Sequence, residues 1–162
     1  MKKLNFSCGG DIKEGWDNCD IQESQNVLFC DANKFPYPFN DNTYDYIQLR
    51  QCIYIFEDPR KCLDEIHRIA NNKAVIYIEF PHAGNIGTYN EISSIHHYTE
   101  KTFEHFVNNT NRNYKTRKFN IIKLDPRPTW ISKYFPKSLR KYLSYFIMGM
   151  YNNVIVKLEV VK

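Results

Sequence analysis

The sequence predicts an α/β fold, a mostly parallel sheet with one antiparallel strand pair at its C-terminal edge. Three observations carry that expectation. Short apolar runs of period-two or continuous character recur along the chain. A strong amphipathic helix pattern interrupts them midway. The last run is a strand that reaches the C-terminus with no helix after it. At 162 residues the chain suits one domain with one core, 1–162.

Strand signals fall at 3–7, 18–21, 27–30, 44–49, 74–80, 118–124 and 153–161. Between the fourth and fifth, Asp58 is an N-cap and Pro59 fits the first helical position. Cys62, Leu63, Ile66, Ile69 and Ala70 then line one face at helical spacing, and Asn71-Asn72 closes the helix. A second helix starts from a Thr99 cap and buries Phe103, Phe106 and Val107. A third runs from about Ser138, with Leu139, Tyr142, Leu143, Phe146 and Met150 on one side. A final strand that slots back between its predecessors makes the antiparallel pair.

The first third is short of chain. About nine residues join strands one and two and about five join strands two and three, where a parallel crossover usually takes a dozen or more. Five extended residues span roughly 17 Å, so bare-loop crossovers just reach. Helices are therefore reduced in the first half, and an apolar sheet face there would need cover. The aromatic C-terminal segment or a second subunit is the expected cover.

Apolar residues make up 43% of the chain, an ordinary globular share, while aromatics reach 15%, with 12 Tyr and 11 Phe. Those rings need burial, a ligand or a contact surface. The start, Met-Lys-Lys-Leu-Asn-Phe-Ser-Cys, turns polar too quickly for a signal peptide, and no apolar run nears the ~18 residues of a membrane span. Five cysteines without a C-x-x-C pair suggest reduced thiols and a cytoplasmic location. Net charge is +4, but 112–141 holds ten Lys/Arg against the single acid Asp125. Such a third attracts an anionic substrate, an anionic membrane or nucleic acid, or is simply a solvated surface.

Three consecutive strand ends offer polar chemistry. Strand one runs into Ser7-Cys8-Gly9-Gly10, where glycine lets the backbone approach a ligand. Asp20 ends strand two, placed to hydrogen-bond the hydroxyls of a ribose. Asp31 ends strand three and can accept from an exocyclic amine. Each alone is ordinary turn or cap chemistry. Together they fall where sheets of this kind bind ligands, at the carboxyl ends of the strands.

The order of motifs goes further. Lys13-Glu14-Gly15-Trp16, Asn18-Cys19-Asp20-Ile21, the run from Phe35 through Asp45, Phe56-Glu57-Asp58-Pro59, Glu65-Ile66-His67-Arg68-Ile69 and Phe80-Pro81-His82 follow one another at characteristic spacing. In these the chain resembles the small class I S-adenosylmethionine-dependent methyltransferases related to the family that methylates ubiquinone precursors. The resemblance implies a Rossmann-like, mostly parallel seven-stranded sheet and S-adenosyl-L-methionine as cofactor. It implies that Ser7, Cys8, Gly9 and Gly10 face the methionine end and that Asp20 holds the ribose with Ile21 packed on adenine. It further implies that Asp31 and Ala32 contact the adenine edge and that Arg50 and Gln51 lie near the sulfonium. The Phe35–Phe39 run is implied to brace the loop before strand four. Three positions depart from the pattern: Ser7 replaces the first loop glycine, Ile55 a histidine, and Asn72-Lys73 a Pro-Gly-Gly turn.

His82, His96 and His97 are the candidate catalytic residues, since a neutral imidazole can accept the proton a nucleophile loses on methylation. The alternative is that His82 caps a turn and His96 or His97 orders the loop before the helix. Metal binding by these with Glu91 lacks an H-E-x-x-H or C-x-x-C pattern, and no metal is expected. Cys8, Cys19 and Cys30, eleven residues apart, read as small buried residues packing in the sheet. The basic, aromatic segment 134–146 suits an interfacial helix making peripheral contact with anionic lipid, a lid over the acceptor, or a homodimer contact. Lid or dimer is favoured, because the domain needs apolar cover. The expected function is methyl transfer to the oxygen or nitrogen of a small-molecule or glycan-like acceptor. The alternative is a catalytically degenerate binding or scaffold protein on the same fold. Nucleic acid is disfavoured: Asp125-Pro126-Arg127-Pro128 is not the Asn/Asp-Pro-Pro-Tyr/Phe motif of base methylation.

Overall fold

The computed structural model describes residues 1–108 and 118–162, and Arg112, Lys115 and Arg117 of the basic run lie outside them. Strands β1 (Lys3–Phe6), β2 (Asp17–Asp20), β3 (Leu28–Phe29), β4 (Tyr44–Arg50), β5 (Ala70–Pro81), β6 (Lys118–Pro128) and β7 (Tyr151–Val161) form one sheet. Its order is β3-β2-β1-β4-β5-β7-β6. The first five strands are parallel, and β7 runs antiparallel to both β5 and β6. The fold is therefore Rossmann-like α/β, with seven strands and an antiparallel C-terminal edge. Helices α1 (Pro59–Ile69), α2 (Glu100–Asn108) and α3 (Lys137–Leu143) all come after β4, so no α-helix covers the chain up to β4.

Helix α1 starts as its sequence dictates. The Asp58 carboxylate accepts the Lys61 backbone N–H at 3.0 Å, and Pro59 sits in the first turn. It ends at Ile69, just before Asn71-Asn72: Ala70 pairs with Tyr44, and 71–74 bulge out, with Lys73 at φ 65°, before Val75 pairs with Tyr46. The third helix is shorter than its pattern, ending at Leu143 with no buried residue. Its apolar side chains find no core to pack on, so Phe146 and Met150 lie beyond it.

Strand register sorts the sheet into two unlike faces. Leu4 and Phe6 align with Ile47 and Leu49, then with Ile76 and Ile78, then with Leu158 and Val156, all fully or almost fully buried. The covering layer is α1, α2 and the aromatic loop before β4: Phe103 stacks on Phe80 at 5.3 Å and Tyr37 meets Phe6 at 4.9 Å. The opposite face aligns Asn5 with Asn18 and Gln48, then Gln48 with Tyr77, then Tyr77 with Lys157. Asn5, Asn18 and Gln48 are buried but hydrogen-bonded to one another and to the loop after β1. Trp16 from that loop lies edge-on to Tyr46 at 5.4 Å. The helix-poor half thus presents a polar second face, satisfied by its own amides. The expectation that a dimer partner or the C-terminal segment must cover an apolar one is corrected.

Candidate functional site

The three N-terminal strand tips are stitched together. Cys8 N–H donates to the Cys19 carbonyl at 3.0 Å, joining the ends of β1 and β2, and Cys30 N–H donates to the Asp20 carbonyl at 2.8 Å, joining β3 to β2. The Gly9 N–H donates to Asp20 Oδ2 at 2.8 Å, drawing the glycine turn and the carboxylate into one wall. Asp20 Oδ1 accepts the Gln22 N–H at 3.2 Å. A carboxylate offers about four acceptor sites, so capacity remains for further donors. Gly9 adopts φ +52°, and a Cβ added at Gly9 or Gly10 would meet nothing within 4 Å, so space opens directly above this turn. Ser7 also has positive φ, 54°, the left-handed region in which glycine is the easier residue.

Beside this wall the surface is apolar. Ile21 is 59% exposed, and Leu28 and Phe29 are half exposed. Asp31 is turned inward: its Oδ1 accepts the Asn33 N–H at 3.0 Å and its Oδ2 pairs with Lys34 at 3.3 Å. Ala32 is fixed through its carbonyl, which accepts from the Tyr37 hydroxyl at 2.9 Å. Tyr37 is held in turn by the Glu65 carboxylate on its N–H at 2.9 Å and by Arg68 on its carbonyl at 3.0 Å. Burial alone would raise the Glu65 carboxyl. The Arg68 guanidinium and the Tyr37 N–H outweigh it and hold that carboxyl below its usual range.

Across the mouth, Arg50 Nε donates to Glu79 Oε2 at 3.2 Å and Nη1 lies 3.5 Å from Asp11 Oδ2. Glu79 also accepts from the Tyr77 hydroxyl at 3.0 Å and from Asn153 at 3.0 Å. Gln51, at φ 55°, donates its N–H to the Glu79 carbonyl at 2.7 Å. Reading the sequence strand by strand missed Glu79 and Asp11. Glu79 is visible only once β5 is registered against β4, where it stands opposite Arg50.

The histidines lie at the same edge of the sheet, past β5. His82 is buried; its Nδ1 accepts the Gly84 N–H at 2.9 Å and its Nε2 lies 3.5 Å from Glu100 Oε2. That imidazole holds the Glu100 carboxyl below its usual range. His97 is exposed, with Nδ1 3.4 Å from the Thr88 hydroxyl and its ring 4.5 Å from Tyr89. His96 stacks on Tyr98 at 5.7 Å. Ser94 Oγ, His96 Nε2 and the Tyr98 hydroxyl are buried without a hydrogen-bond partner among the described residues. Ile55 packs against the core, half-buried.

The cysteines serve packing. The neighbouring Cys30 and burial push the Cys19 thiol far up, and burial pushes Cys62 up to about 12, so neither is a thiolate at neutral pH. Among the described residues no group of three or more His, Cys, Asp or Glu is arranged to hold a metal, and no helix is long and apolar enough to cross a membrane. A groove of about 300 Å³ lined by Trp16, Asp17, Asn18, Asn26, Val27 and Leu28 includes Asp17, at the opposite end of β2 from Asp20.

Chemically, the tips offer a carboxylate with spare acceptor capacity, an open glycine turn and an apolar flank. Such a surface suits a ligand with adjacent hydroxyls beside a flat apolar ring. Residues 7–78 match the family model described as a methyltransferase domain. No curated protein sequence matches the chain. A SAM-dependent methyltransferase from Archaeoglobus fulgidus superposes with TM-score 0.68 at 12% identity, over 98% of this chain and 86% of that one. One from Mesorhizobium loti gives 0.62 at 12%, over 98% and 90%. The Haloferax volcanii complex of the Trm112 methyltransferase activator with its methyltransferase gives 0.64 at 12%, over 99% and 83%. The chain thus matches a methyltransferase domain over residues 7–78 and shares the Rossmann-like fold of solved S-adenosylmethionine-dependent methyltransferases.

Proposed function

We propose that this protein binds S-adenosyl-L-methionine and transfers its methyl group to the oxygen or nitrogen of a small-molecule or glycan-like acceptor. The observation that carries the reading is the 2.8 Å bond from Gly9 N–H to Asp20, beneath the open space over Gly9 and Gly10. Asp20 would take the ribose hydroxyls on its free lone pairs, and Ile21 would lie against the adenine. Asp31 and Ala32 would meet the adenine edge, by position and backbone more than through the committed Asp31 carboxylate. Ser7, Cys8, Gly9 and Gly10 would border the amino-acid end. Arg50 is held away by Glu79 and Asp11, so Gln51 and the Arg50 backbone would border the sulfur.

When bound, the cofactor supplies an electrophilic methyl on a good leaving group. The protein's share is alignment and exclusion of water. The unpartnered polar atoms of Ser94, His96 and Tyr98 support a polar acceptor in that segment. Of the three histidines, His96, whose buried Nε2 has no partner among the described residues, would take the acceptor's proton. His82 and His97 would position the loop. Release of S-adenosylhomocysteine against a panel of hydroxylated small molecules and oligosaccharides tests this. Turnover that falls about a hundredfold in His96→Ala, with cofactor affinity unchanged, is the expected result. Cofactor binding without turnover on any acceptor would favour the second reading, a degenerate binding protein, which the apolar Ile55 packed in the core supports.

A further inference from the structure

Residues 129–150, between β6 and β7, are built inside out. Their polar groups face one another. The Thr129 N–H donates to the Met150 carbonyl at 3.3 Å, the Thr129 hydroxyl donates to the Gly149 carbonyl at 2.8 Å, and the fully buried Ser132 hydroxyl donates to the Met150 carbonyl. Arg140 ties the start of the excursion to α3, its guanidinium donating to the carbonyls of Ser132 at 3.0 Å and Phe135 at 2.9 Å. The base is fixed to the rest of the molecule by Gly149 N–H on the Gly84 carbonyl at 2.7 Å and by Lys101 Nζ on the Tyr145 hydroxyl at 3.0 Å. The apolar side chains are left outside: Trp130 is 76% exposed, Tyr134 77% and Phe146 73%, with Tyr142, Ile147 and Met148 about half exposed or more. A loop that spends its polar groups on its own closure and shows its rings to solvent is not an ordinary solvated surface.

Charge selects the occupant. Residues 126–150 contain Arg127, Lys133, Lys137, Arg140 and Lys141 and no acid. A second copy docking through the same patch would bring these like charges together across a two-fold contact. A lid or cover was attractive while the sheet had an apolar face to hide, but that face is polar and satisfied by its own amides. Trp and Tyr rings rimmed by Lys and Arg match a lipid headgroup boundary, where each ring sits with its polar edge in the headgroups and basic residues meet anionic lipid. We propose that 129–150 docks the protein on an anionic membrane surface. The segment joins Gly84 and Lys101, so docking sets the His82–Tyr98 edge of the sheet beside the bilayer, and an acceptor carried on a lipid would reach it. The docking claim does not depend on methyl transfer.

Flotation of the full chain with vesicles tests it, using phosphatidylcholine alone and phosphatidylcholine with about one third phosphatidylglycerol. The protein is expected to float with the mixed vesicles, weakly with the neutral ones, and less as salt rises. Trp130→Ser with Phe146→Ser, and separately Lys137→Glu with Lys141→Glu, should each cut binding at least about tenfold while leaving the melting temperature unchanged. Three results would overturn the proposal. They are no flotation of the parent protein, equal flotation of parent and both variants, or a soluble dimer that needs Trp130 and Phe146 and leaves vesicles unbound.

Discussion

At the scale of single residues, two turns hold backbone conformations that their side chains do not favour. Ser7 holds φ 54° and Lys73 φ 65°, both where the family pattern has glycine and both where an L side chain crowds its own backbone. The turn geometry has outlived the residue that makes it easy. Ser7→Gly should therefore stabilise the protein by about 0.5–1 kcal/mol, the relief of left-handed strain less the added freedom of the unfolded chain. Denaturant titration of the two proteins reads this, and an equal or lower midpoint for the glycine variant would mean that Ser7 is not strained. Gly9, Gly10 and Asp20 stand at the strand ends where residue type put them, whereas Ile21 was implied only by the family resemblance. The engagement of Arg50 by Glu79 and Asp11 was not, because it depends on cross-strand register.

At the scale of elements, the Glu65–Arg68 pair explains why two distant motifs travel together. Arg68 reaches Glu65, Asp41 and the carbonyls of Tyr37 and Phe39, so α1 clamps the aromatic loop that in turn fixes Ala32. Arg68→Met should cost about 3 kcal/mol, because it leaves a mostly buried carboxylate with only the Tyr37 N–H and takes the guanidinium from two carbonyls. The pair also sets an acid limit. The Glu65 carboxyl lies lower in the folded chain than its unfolded value of 4.5, so its contribution is complete above that value and disappears as pH falls through the folded one. Melting curves of the parent and Glu65→Gln should stand furthest apart at neutral pH and converge in acid; a gap constant with pH would exclude the linkage. Helix α1 was readable from its cap and apolar stripe. The start of β5 was not: Ala70 pairs with Tyr44 and Val75 with Tyr46, so 71–74 bulge from the strand, a detail that depends on cross-strand register.

At the scale of the whole molecule, the sheet is half of the usual sandwich. A parallel sheet normally buries both faces under helices. Here the strands alternate, as in Leu4-Asn5-Phe6, Ile47-Gln48-Leu49 and Ile76-Tyr77-Ile78, and that period-two pattern already carried the information that one face would be polar. The expectation of a hidden apolar face came from the class of sheet and overlooked the central amides. Two neighbouring substitutions separate the cases. Val75→Lys, on the open face, should change stability by less than about 0.5 kcal/mol. Ile76→Lys, fully buried on the other, should prevent folding. Comparable tolerance at both positions would contradict a one-sided sheet.

The proposed site lies where β1, β2 and β3 end, so the most direct measurement is a calorimetric titration of the protein and of Asp20→Ala with S-adenosylhomocysteine. The account predicts one site in the parent protein and a loss of at least about tenfold in affinity on removal of the carboxylate, with folding unchanged. No heat from the parent at saturating ligand, or equal affinity in the two proteins, would contradict it.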